Sequence, residues 1–294
     1  MDLLTTIQNA RLSVSTDTRG AELQAITTAD GTDYLWNGDP AHWGYHAPML
    51  FPIVGALREG KATSAGGDIR LSRHGFCRTA DFSLLSANDT VVTYQLIADE
   101  QTRVGYPYDF ALCVTHSLSG MSVTTRYTVR NTGDKSLPFC IGGHPAFRVP
   151  LAAGERFEDY RVIFEQPETV DCTRLDENSG LVRSTDRRRF LSGEPDFRLS
   201  RELFRDDALL FDNLRSRHVR LVSDMSGHGV EMDFAGFDYF GIWSPPGDAP
   251  FVCLEPWTGT ATLDCEDDVF EHKRGMTILE SGQSFEIAYT ITVF

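Results

Sequence analysis

Three side chains in this sequence stand where acid–base chemistry or metal ligation could use them: His74 in RHGFCR, His144 in IGGHPAF and Glu255 in FVCLEPW. His144 follows Gly142-Gly143, which allow the chain to turn or pack closely, and precedes Pro145, which biases it toward extended backbone. A surface histidine needs no such constraint. Glu255 ends the apolar run Phe251-Val252-Cys253-Leu254 and precedes Pro256-Trp257. A carboxylate placed there is partly desolvated, and desolvation raises its pKa toward that of a useful base. His74, before Gly75, reads as an exposed imidazole at a strand entry. The plainer alternatives are histidines bonded to backbone and a glutamate tied to an amide or an arginine. Two histidines and a glutamate permit general acid–base catalysis on a neutral polar substrate, or a His/His/Glu metal site. Metal ligation favours a close histidine pair. His42 and His46 have helical spacing, but Trp43-Gly44-Tyr45 between them is poor helix, so no metal is expected. Cys77 is a third candidate, as a nucleophile, but no base accompanies it. No G-x-S-x-G, P-loop or dinucleotide fingerprint occurs.

The elements that must position these groups are strands. From Phe110 to Leu118, Phe110, Leu112, Val114, His116 and Leu118 alternate with small or polar residues. Ser119-Gly120 turns the chain, and Met121, Val123, Thr125, Tyr127 and Val129 repeat the pattern. Val230, Met232 and Phe234 alternate likewise, as do Phe285, Ile287, Tyr289, Ile291 and Val293. One helix is expected over 200–211 with Ser200 as its N-cap, and the polar stretch 176–189 reads as an exposed loop. His116, on an apolar register, is expected to be a satisfied core residue; His218, His228 and His272 are expected at the surface. In 33–55, Trp36 and Trp43 are either core plugs or stacking platforms. No repeat or linker divides the chain. The expectation is one domain over 1–294, all-β, a large antiparallel β-sandwich with few short helices.

Composition narrows the partners. The 294 residues carry 27 basic and 42 acidic side chains, a net charge of −15. Nucleic acid and anionic membranes call for basic surfaces, so neither is expected. No apolar run is long enough to cross a bilayer as a helix. The start, MDLLTTIQNARLSV, lacks a basic region followed by an apolar run, which predicts a cytoplasmic protein. Cys77, Cys113, Cys140, Cys172, Cys253 and Cys265 are scattered and read as free thiols.

YLWNGDPAHW, HAPMLFPIVG, RHGFCR, NTGDKSLPFCIGGHPAF and PFVCLEPWTG, taken in order, resemble the aldose 1-epimerases, or galactose mutarotases, and among them the LacX-like branch. The resemblance runs from about Thr6 to the C-terminus. It implies a β-supersandwich, interconversion of the α and β anomers of a free aldose, and no cofactor. It also implies Glu255 as the base at the anomeric hydroxyl, His144 as the acid at the ring oxygen and His74 as a second histidine near that oxygen. Asp207 is similar to a substrate-binding aspartate, with Asp206 and Asp212 close by. Arg78 looks like an arginine that contacts a sugar hydroxyl or a phosphate. Ala56 stands where the family often has arginine, with Arg58 nearby, and that departure bears on substrate identity. A hexose 6-phosphate mutarotase and a non-catalytic sugar-binding protein are the alternatives, and the chain is expected to be a monomer or homodimer.

Overall fold

The computed structural model describes residues 4–176 and 178–294. Among them, fifteen strands join one continuous sheet whose ladders are all antiparallel. The alternation read from the sequence is the register of its centre. In Phe110–Ser119, Phe110, Leu112, Val114, His116 and Leu118 are buried while the residues between them are partly exposed. Ser122–Asn131 and Ser284–Val293 flank each other and alternate in the same way. These side chains meet one extended apolar core. A separate three-stranded sheet, Thr5–Gln8, Leu12–Thr16 and Leu23–Thr28, packs on this region. Thr16 Oγ1 reaches the buried Tyr94 hydroxyl at 2.6 Å.

Two expectations are corrected. No helix spans 200–211. A 3-10 turn covers Arg201–Phe204, Ser200 makes no capping bond, and Leu209–Phe211 is a strand. That strand pairs with Phe240–Ile242 of the sheet, and Asp207 at φ 82° reverses the chain ahead of it. Ladder bonds and apolar burial there outweigh the local helical tendency. The stretch 176–189 is also no simple loop. From Val182 it enters a 17-residue strand, Val182–Arg198, paired with Tyr160–Leu175 through several bulges. Most of that strand is exposed, so it carries no apolar alternation for the sequence to display. The one α-helix among the described residues is Glu100–Gly105, capped by Asp99. No helix of the described chain is long and apolar enough to cross a membrane.

Candidate active site

His144 and Glu255 meet because their strands share one register. Gly142 lies opposite Trp257, and Ala146 opposite Cys253. Counting inward from both places His144 across from Glu255, the arrangement in which side chains of neighbouring strands touch. His144 Nε2 lies 3.0 Å from Glu255 Oε2. Pro145 interrupts the ladder between these pairs, and its carbonyl accepts from the Leu254 N–H at 3.1 Å. The glycines before His144 answer to close packing. A Cβ on Gly142 would lie 2.6 Å from the Trp257 ring, and one on Gly143 2.7 Å from the Tyr289 ring.

The pair is deeply buried. His144 is 7% exposed and Glu255 1%. Glu255 Oε2 and His144 Nδ1 have no hydrogen-bond partner among the described residues, so the 3.0 Å contact is close without being an aligned bond. Buried polar atoms are usually satisfied, and unsatisfied ones call for an explanation. Burial pushes the His144 imidazole down to about 3, with Arg78 adding a smaller push the same way. Burial, and then the charge of Asp207, raises the Glu255 carboxyl well above its ordinary range. Both groups therefore favour their neutral forms, and the pair holds one proton.

His74 completes the constellation, in a different setting from the expected strand entry. It sits in a turn at φ 69°, partly buried, and its ring stands edge-on to that of His144 with centroids 5.6 Å apart. The Gly55 N–H donates to His74 Nδ1 at 3.1 Å. With Nδ1 accepting, the neutral ring carries its proton on Nε2. Burial keeps the ring neutral, and His144, Arg78 and Arg73 reinforce that.

These groups open on a cavity of about 500 Å³, whose lining includes Trp43, Trp243, Arg73, Arg78, Arg205 and Asp207. Asp207 is thereby separated from its neighbours. Asp206 pairs with Arg174, and Asp212 with Arg187 and Arg274. Asp207 Oδ2 lies 3.8 Å from Arg73 Nη1. Arg78 places its guanidinium 5.1 Å from the centre of the Tyr45 ring. Trp36 is a core plug stacked on Phe251, whereas Trp43 stacks on His144 at 4.9 Å. Cys77 is buried and its thiol pushed well up by burial, which disables it as a nucleophile. His42 and His46 do not line this cavity. The residues that could hold a metal are His144, Cys253 and Glu255, whose donor atoms lie within 4.8 Å of one another. Burial also holds the Cys253 thiol protonated.

Reading the sequence alone missed three contributors. Trp243 and Arg205 line the cavity but stand outside any motif. Glu22 lies further back. Its Oε1 accepts the His46 and Ala47 N–H groups at 2.7 and 2.8 Å. The His46 and Pro48 carbonyls in turn accept from Ala146 and His144. Glu22 thus clamps the segment that carries the His144 backbone. A lone glutamate just ahead of the strand Leu23–Thr28 gives no local sign of this.

The family described as aldose 1-epimerase matches residues 2–292. The chain belongs to that family. It is 36% identical over 293 residues to the chromosomal protein LacX of Lactococcus lactis subsp. lactis, covering 98% of each chain. The solved structure of a galactose mutarotase related enzyme from Lactobacillus acidophilus is 33% identical with a TM-score of 0.94, covering 99% of this chain and 97% of that one. A galactose mutarotase-like protein from Lactobacillus casei is 28% identical with a TM-score of 0.89, covering 99% of this chain and 100% of that one.

Proposed function

We propose that this protein is a cofactor-independent aldose 1-epimerase acting on a free aldose, with Glu255 and His144 as the catalytic couple. The observation that carries the reading is the cross-strand contact of 3.0 Å between two buried groups, with His144 Nδ1 and Glu255 Oε2 left without a hydrogen-bond partner among the described residues. Ring opening removes a proton from the anomeric hydroxyl and delivers one to the ring oxygen, and these two oxygens share one carbon. An acid and a base in contact suit that geometry.

The empty pair keeps its proton on the carboxyl. Transfer across the contact to His144 Nε2 leaves a carboxylate and an imidazolium. Hydroxyls of the bound sugar supply the hydrogen bonds that this charged form needs. Glu255 then takes the anomeric proton, His144 gives its own to the ring oxygen, and the C1–O5 bond breaks to the open-chain aldehyde. Rotation about C1–C2 presents the other carbonyl face, and the two proton transfers run backward to close the ring. No net proton is gained or lost. His74 donates from Nε2–H toward the ring oxygen, Asp207 and Arg78 bind hydroxyls, and Trp43 and Trp243 offer apolar faces to the ring. Arg73 faces Asp207 and Arg205 pairs with Glu202, which leaves Arg78, over the Tyr45 ring, as the cavity arginine for a sugar hydroxyl.

Polarimetry of freshly dissolved α-galactose and α-glucose tests the reading. Faster relaxation with the protein, unaffected by a strong chelator, is expected. Sugar binding at the uncatalysed rate would show a binding protein instead.

A further inference from the structure

The catalytic couple has a buried neighbour that anomerisation does not use. Cys253 lies two residues before Glu255 on the strand Phe251–Trp257, so both side chains project to one face of the sheet. Across the ladder Cys253 stands opposite Ala146, two positions beyond His144. The three residues thus form a corner, an i, i+2 pair on one strand and a residue facing it on the next. Their donor atoms lie within 4.8 Å of one another. Among the described residues no other trio of histidine, cysteine and carboxylate side chains comes together in this way. Cys253 packs against Trp36, Ala146, Ala249 and Phe251, and Trp43 and Trp243 join that cluster while also lining the cavity. The corner therefore lies directly beneath the cavity floor.

A second observation points to a ligand here. Glu255 is 1% exposed, and its Oε2 has no hydrogen-bond partner among the described residues although it is aimed at His144 Nε2 across 3.0 Å. Two ligands each about 2 Å from a tetrahedral ion stand about 3.3 Å apart, so this pair is already spaced for one. The Cys253 sulfur needs to approach by about 1 Å to join them at a zinc–sulfur distance. The donor set of sulfur, imidazole and carboxylate selects the ion. Hard cations such as Mg²⁺ and Ca²⁺ take oxygen ligands, whereas thiolate with imidazole suits Zn²⁺. Three protein ligands leave a fourth position, and the open side of the corner faces the cavity, where water completes the tetrahedron.

Building on the epimerase reading, we infer that His144, Cys253 and Glu255 form an inhibitory zinc site, in which the ion withdraws both members of the catalytic couple from the sugar. Zn²⁺ binds Nε2, Sγ and Oε2. The thiol proton and the one proton that the couple shares leave to solvent, and no electron is transferred. Cys253 takes part in this inhibition alone and has no role in turnover.

The test adds zinc chloride to metal-free wild-type protein and to the Cys253→Ser, Cys253→Ala and Cys265→Ser variants, the last removing an exposed thiol as a control. Thermal melts show that each is folded. Calorimetry counts the ions, the absorption of the cobalt(II)-loaded protein reports a metal–thiolate bond, and anomeric relaxation of fresh α-glucose reports inhibition. The expected result is one tightly bound ion per chain, a cobalt–thiolate band, and loss of rate enhancement that a chelator restores. Both Cys253 variants should keep the zinc-free rate and need about tenfold or more zinc for the same inhibition, as weakened metal sites do. Cys265→Ser should respond as the wild type does. An active protein untouched by zinc, or inhibition equal in the wild type and the Cys253 variants, overturns the inference. Should the Cys253 variants fail to fold, cobalt decides: a thiolate band lost in His144→Gln supports the site, and a wild-type spectrum without that band overturns it. A thiolate band that depends on Cys253 and His144 in a protein with no rate enhancement would keep the metal site and remove the epimerase reading.

Discussion

The molecule buries two histidines in contrasting surroundings. His116 stands in the core between the long central strands, with Nδ1 3.0 Å from Thr125 Oγ1 and Nε2 2.9 Å from the Ala21 carbonyl. His144 stands at the cavity floor with Nδ1 unpartnered and Nε2 against a carboxyl that is itself unsatisfied. Burial pushes both down, His116 to about 4 and His144 to about 3. Depth and proton affinity therefore do not distinguish them. What differs is satisfaction: one ring has spent its hydrogen-bonding capacity on the fold, and the other has kept it for a ligand.

The sharpest way to break this contrast is to remove each ring in turn. His144→Gln is expected to slow anomeric relaxation by about 10²–10⁴-fold, the usual worth of a general acid, without lowering the melting temperature. His116→Leu should do the opposite. It strands Thr125 and the Ala21 carbonyl, costing about 1–3 kcal/mol of stability by denaturant titration, while turnover stays at the wild-type level. A variant pair in which both lose activity, or both lose stability, would erase the distinction.

A subtler effect comes from Glu22, which supports the His144 segment from behind. Burial raises its carboxyl to about 7. A carboxyl raised in the fold contributes stability fully below its unfolded value of 4.5, and loses it as pH rises through 7. Glu22→Gln has no such loss. Its stability relative to the wild type should therefore rise between these pH values, at up to about 1.4 kcal/mol per pH unit. A flat difference would show that Glu22 ionises in the fold as it does in the open chain.

The same contrast shows how far the sequence is legible. The registers of Phe110–Ser119, Ser122–Asn131 and Ser284–Val293 can be read directly, because one buried face forces alternation. His144 can be singled out because glycines and proline surround it, and His116 because it falls on the apolar face. Their difference cannot be read locally. It depends on Thr125 and Ala21 for one ring and on a strand 111 positions further along for the other. Asp207 is hard to tell from Asp206 and Asp212 for the same reason, since only the ion pairs with Arg174, Arg187 and Arg274 draw those two aside. The exposed strand Val182–Arg198 carries no pattern because neither face demands one. Leu209–Phe211 is too short for a period to emerge.

The central claim is that Glu255 takes the anomeric proton beside His144. The most direct measurement is the polarimetric relaxation of fresh α-galactose with purified Glu255→Gln beside the wild-type protein at equal concentration. Glutamine keeps the shape of the side chain and removes the base. The account predicts a melting temperature at or above that of the wild type and a rate reduced by about 10²–10⁴-fold, toward that of buffer alone. Relaxation by the folded variant at the wild-type rate would contradict it.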